Sequence, residues 1–316
     1  MTARATAQSP QTFDINDVKV LRQPVQASMS DGAILHGYIY HSIAVETKSR
    51  KKTPSVTTPL LCLASELGNC REHHRFALGL ASQPAAKQRI FTLDMRGRGL
   101  SQVRRIRKTD VSTDADDLIS FCDANNLHHI DMLVSGFSLY ALLLAMVKRP
   151  GLVRKLVLND AAPEFEDVAL AKHIALVHRI GRPASWEDGA EQLRTLKGQD
   201  FPHFADEDWL DMARQVWRDA KGKPALETAK GLMRWSNRTD LGSFQPNLWP
   251  AFGMFKTRPV LLVKGEYSSL ITDVIAAKMG LFLPSLEVII AKRQGHVPQL
   301  ERGHLTDQVL AFLLKA

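Results

Sequence analysis

At 316 residues, with 45% hydrophobic and 23% charged side chains, the chain holds enough apolar material for a sizeable core, which excludes a disordered or low-complexity polymer. Its net charge of +8 reads as a solvated basic surface: the basic runs Lys48 to Lys52 and Arg96 to Lys108 carry no interleaved aromatics, so no nucleic-acid partner is expected. No apolar run approaches the ~20 residues that span a bilayer, and the first ten residues hold no apolar signal core, so neither a membrane partner nor secretion is expected.

Residues 1–15 are polar and are expected to be a disordered tail. Val25 to Tyr40 alternates roughly around Ser30-Asp31-Gly32, which predicts a hairpin. Val45 to Thr58 is polar and reads as an exposed loop. Leu60–Ala64, Ile90–Leu93, Ile130–Ser135 and Val153–Asn159 read as buried strands. Helical patterns separate them at Arg71–Ser82, at Thr113–Asn126 (Leu118, Ile119 and Cys122 on one face) and at Leu139–Lys148. From about Ala161 to Thr257 helical periodicity dominates, and all 5 tryptophans fall there. Alternation resumes with strand Val260–Lys264, helix Thr272–Met279, strand Leu286–Ile290 and helix Leu305–Lys315. Repeated βαβ units predict an α/β fold with a mostly parallel, doubly wound sheet, built from residues 16–160 and 257–316. The inserted residues 161–256 are expected as a helical cap over the strand ends, where open α/β sheets bind ligands.

Between a strand and a helix stands Gly136-Phe137-Ser138-Leu139-Tyr140. A serine on such a sharp turn presents its Oγ at the sheet edge, and the following helix N-terminus offers amides to a developing oxyanion. Asp94-Met95-Arg96-Gly97-Arg98-Gly99-Leu100-Ser101, Leu158-Asn159-Asp160 with Ala162-Pro163-Glu164, Lys264-Gly265-Glu266 and Gly295-His296-Val297-Pro298 follow in order around it. With these motifs the chain resembles lidded α/β-hydrolase-fold proteins, close to bacterial esterases and enol-lactonases, from Val25 to the C-terminus.

The resemblance implies Ser138 as nucleophile and His296 as its general base, since a serine hydroxyl needs a neighbouring base to attack a carbonyl. It implies an oxyanion hole from the amides of Glu66 and Leu139, and it implies no cofactor. Three positions depart from the family pattern. Ala64-Ser65-Glu66 replaces the usual His-Gly of the oxyanion loop, Tyr140 replaces a glycine, and Ser269 stands where the orienting aspartate belongs. Asp160 and Glu266 are the alternative acids, beside a third case with no acid at all. Ser65, Phe137, Tyr140 and Ser269 are candidate pocket residues.

Other candidates carry less. The adjacent pairs His73-His74 and His128-His129 lack metal-ligand spacing, so no metal is expected. Cys62, Cys70 and Cys122 are too few for a disulfide framework and predict reduced thiols in a cytoplasmic protein. Two readings remain open. One is a serine hydrolase of small esters, lactones or related carbonyl compounds, working through an acyl-enzyme. The other is a catalytically impaired descendant that binds a small ligand or a partner in the cap pocket. Oligomeric state is open, a dimer included.

Overall fold

The computed structural model describes residues 9–43, 57–66, 68–101, 110–177, 179–226 and 246–315. The basic run at Lys48 to Lys52, the loop around it and Trp235 lie outside these residues.

The N-terminal stretch is ordered further back than its polarity suggests. Strand β1 (Gln11–Ile15) pairs antiparallel with β2 (Val18–Ser28). Asn16 and Asp17 join them with φ of 49° and 63°, the left-handed pair a tight two-residue hairpin requires and that Asn and Asp tolerate. Antiparallel β3 (Ile34–Ser42) follows across the expected Asp31-Gly32 turn.

Strands β4 (Leu60–Leu63), β5 (Ile90–Asp94), β6 (Ile130–Ser135), β7 (Val153–Asn159), β10 (Val260–Gly265) and β11 (Leu286–Ala291) complete a nine-stranded sheet in the order β1-β2-β3-β5-β4-β6-β7-β10-β11. All pairings from β5 to β11 are parallel. These inner strands are continuous apolar runs because both faces are covered. In β6, Met132 and Val134 join the core beneath α2 (Val111–Ala124) and α3 (Ser138–Lys148). Leu133, between them, joins the opposite core under α1 (His74–Ala81) and α9 (Leu305–Leu314). Each fully buried side chain such as Phe121 or Phe76 contributes about 1.5–3 kcal/mol.

Local chemistry sets the helix ends. Asp110 caps α2, its carboxylate accepting from the Thr113 amide at 2.7 Å. Buried Lys155 donates to the Phe312 and Leu313 carbonyls at 3.3 and 3.0 Å, placing a cation on the C-terminus of α9. The basic run beginning at Arg96 is not all solvated. Arg96 is 3% exposed, held between Asp117 and Asp31 at 2.7 Å each.

The insertion contains α4 (Asp167–Val177), α5 (Trp186–Lys197), α6 (Asp206–Val216) and the short α7 (Trp249–Phe252). It also holds a hairpin that helical periodicity hides, β8 (Trp217–Ala220) with β9 (Lys223–Leu226), turned by Lys221-Gly222 at positive φ. Leu193, Phe201, Trp209 and Trp217 form a separate cap core. The C-terminal end of α6 is fastened to the loop after β4. Asn69 Nδ2 donates to the Gln215 carbonyl at 2.8 Å, and Arg71 Nε donates to that of Arg214 at 3.1 Å. The core helix between β10 and β11, α8 (Asp273–Phe282), is capped by Thr272.

Candidate active site

The loops at the C-terminal ends of β4, β6, β7, β10 and β11 meet under the cap. Asp160 follows β7 directly, with φ 48° and no exposed surface. Its Oδ2 accepts from His296 Nδ1 at 2.9 Å and from Ser268 Oγ at 2.6 Å, while Oδ1 accepts from the Gly265 amide at 2.9 Å. Among the acid candidates, then, Asp160 orients the imidazole. Glu266 faces outward, bonded to Lys292 at 3.0 Å and to the Arg293 amide at 2.7 Å, and does not reach the histidine. Ser269 is exposed. The contact on Asp160 comes from its neighbour Ser268.

His296 is 2% exposed and sits in a fixed loop. Asn159 Nδ2 donates to the Pro298 carbonyl at 3.0 Å, and Lys197 of the cap donates to the His296 carbonyl at 3.0 Å. Burial alone would favour the neutral ring. The flanking Asp160 and Glu66 outweigh it and push the His296 pKa up to about 9.

The nucleophile half is arranged otherwise. Strand β6 ends at Ser135, and the left-handed residue that turns the chain is Gly136, with φ 50°. Phe137 is already helical, and α3 begins at Ser138. The elbow therefore lies two residues before the serine that the G-x-S-x-G reading selects. Ser138 Oγ is buried and donates to the Ala64 carbonyl. His296 Nε2 has no hydrogen-bond partner among the described residues, so Ser138 and His296 are not joined. A Cβ built on Gly136 would lie 3.1 Å from His296 Cε1 and 3.2 Å from Nε2. The backbone position facing the imidazole is a glycine with no reactive side chain. The register also accounts for Tyr140. It lies inside α3, its ring 5.8 Å from that of Phe137 and 6.1 Å from that of Phe165, rather than at the close strand–helix crossing where glycine is needed.

The oxyanion loop departs in the same direction. The Leu139 amide points to the Gly136 carbonyl at 3.4 Å, so the amide next after the elbow belongs to Phe137. Ser65 turns to Glu72, its amide donating to Oε1 at 3.0 Å. The side chain of Glu66, expected to contribute only its amide, reaches into the site. Glu66 Oε1 lies 2.5 Å from His173 Nε2 and 3.8 Å from His296 Nε2, an ion-pair contact too long for a hydrogen bond. Its Oε2 is buried without a hydrogen-bond partner among the described residues, 3.0 Å from where a Gly136 Cβ would be. Burial opposes the Glu66 charge, yet His173 and His296 together hold its carboxyl well below the usual range. His173, from α4, stacks on Phe137 at 6.0 Å and meets the His296 ring edge-on at 5.0 Å. Burial lowers its own pKa. Ser65, Glu66, Leu193, Lys197, Met212 and Val297 line a cavity between cap and core at this point. Cys62, Cys70 and Cys122 are buried and form no disulfide.

Sequence reasoning missed the Gly136 elbow and the role of His173. The first had a signal: six strand residues counted from Ile130 end at Ser135, just before the residue type that tolerates positive φ. His173 had none, lying 107 residues from the carboxylate it meets.

The strand order, the cap and the His–Asp pair at the strand ends define an α/β-hydrolase-fold protein. No known family model matches the chain. An α/β hydrolase from Novosphingobium aromaticivorans superposes with a TM-score of 0.79 at 23% identity, over 92% of this chain and 98% of that one. An esterase from Exiguobacterium antarcticum superposes at 0.68 with 16% identity, over 92% and 99%. In sequence, a 3-hydroxybutyrate-oligomer hydrolase of Cupriavidus necator is 26% identical over 234 residues, which is 69% of this chain and 77% of that protein. Among the described residues, no helix is long and apolar enough to cross a membrane.

Proposed function

We propose that this protein hydrolyses a small ester or lactone by direct attack of water, without an acyl-serine intermediate. The observation that carries this reading is the glycine at the elbow. The hydrogen-bonded His296–Asp160 pair is built, while the residue facing Nε2 carries no side chain that could attack in place of water. Water polarised between His296 and Glu66 would add to the carbonyl carbon and give its proton to this polar cluster. The bond to the leaving oxygen would then break, and that oxygen would take a proton back. The cap cavity, walled by Leu193, Met212 and Val297, suits a compact, partly apolar substrate. The ester substrate class is supported by the hydrolase relative and the esterase neighbour.

The elbow glycine also favours a second reading, in which the pocket binds a small ligand without turning it over. Two measurements separate the cases. Water attack predicts turnover of small p-nitrophenyl esters or lactones, no labelling of the wild type by a fluorophosphonate probe, and unchanged turnover in Ser138→Ala. Labelling that disappears in Ser138→Ala would restore the acyl-serine route. An ester and lactone panel on which wild type and His296→Ala are equally inert would leave ligand binding as the function.

A further inference from the structure

Three donor-bearing side chains converge here from separate elements. Glu66 comes from the loop after β4, His173 from cap helix α4 and His296 from the loop after β11. We propose that Glu66, His173 and His296 form a binding site for a divalent first-row transition ion, zinc being the best match.

One oxygen of Glu66 and one ring nitrogen of each histidine all lie within 4.8 Å of one another. Around a tetrahedral ion with bonds of about 2.0–2.2 Å, neighbouring ligand atoms stand roughly 3.4 Å apart. The observed 2.5 Å from Glu66 to His173 and 3.8 Å from Glu66 to His296 bracket that spacing, and the two histidine nitrogens stand within 4.8 Å of each other, so the side-chain tips would close on the ion. Two atoms here are buried without hydrogen-bond partners among the described residues, Glu66 Oε2 and His296 Nε2. Buried polar atoms are normally satisfied, and an ion between them would satisfy both. Behind His296, Asp160 accepts from Nδ1 at 2.9 Å, which fixes the ring with Nε2 facing the site, the usual outer support of a metal-bound histidine. Two imidazoles and a carboxylate are a donor set of intermediate softness that suits zinc. Three protein ligands leave a fourth position, on the side where Gly136 contributes no side chain. If the hydrolytic reading above holds, an ion there would take the place of His296 Nε2 and Glu66 in activating the attacking water, lowering its pKa toward ~7.

The test uses the untagged full chain, stripped by a chelator and titrated with Zn²⁺ by calorimetry. One tight site per chain is expected. Affinity should fall by at least about tenfold in His173→Gln and Glu66→Gln, and by about 10–100-fold in Asp160→Asn. Co²⁺ in the same protein should give the visible absorption of a tetrahedral site, absent in His173→Gln. No zinc binding by the wild type, or equal binding by a folded His173→Gln, overturns the proposal. Should Glu66→Gln fail to fold, the partly exposed His173 variant decides alone. Ester turnover by protein shown to bind no zinc would remove the ion and leave the hydrolytic reading standing. A zinc site in protein inert toward every ester would do the reverse.

Discussion

The site's two arms are built to different specifications. On the β7 side, each Asp160 oxygen is engaged and His296 is fixed by contacts at both ends of its loop. On the β6 side, the residue facing the imidazole is a glycine, and Ser138 is turned to the Ala64 carbonyl. The difference teaches that the His–Asp pair and the residue that faces it are separable parts of this fold. Here the space a serine side chain would take borders a carboxylate, Glu66, brought in from the neighbouring loop.

Substitutions on the two arms should therefore have unequal effects. The largest belongs to His296→Ala, which should lower ester turnover by about 10²–10⁴-fold in steady-state kinetics; a fall smaller than tenfold would break the distinction between the arms. Asp160→Ala should destabilise the fold by about 3–5 kcal/mol in urea denaturation, because it removes the acceptor of three buried donors and leaves His296 without its counter-charge. Gly136→Ser should sharpen the contrast by gaining fluorophosphonate labelling, provided the Glu66 and His296 tips yield to its Cβ; an unlabelled, folded variant would mean that the elbow does not face the base. Ser138→Ala should change turnover by less than about threefold, since its hydroxyl bonds only a main-chain carbonyl. Glu266→Gln should be the mildest, within about twofold, as its partners are exposed surface groups.

Much of this was legible from residue order. Apolar runs such as Leu60–Leu63 and Val153–Asn159 are buried on both faces and have no alternative as solvent-facing segments, so strands and connecting helices fell where periodicity put them. His296 and Asp160 were readable because each lies at a strand end whose position the pattern defines. The elbow was misplaced by two residues because a string match to G-x-S-x-G weighs letters, whereas the turn is set by where the strand register with β7 ends, at Ser135 opposite Asn159. Tyr140 was the local sign of that offset. The Asn16-Asp17 turn was hidden in a polar stretch, and the Lys221-Gly222 hairpin in a segment dominated by helices. The Glu66–His173 contact joins cap to core, and no local periodicity encodes a contact between elements so far apart in sequence.

The fastening of α6 to the loop after β4 has a mechanical consequence. Asn69 and Arg71 hold the carbonyls at that helix end, and a few residues before them the same loop carries Glu66. A displacement of α6 would therefore pull on the loop that bears Glu66, and a displacement of α4 would carry His173 with it.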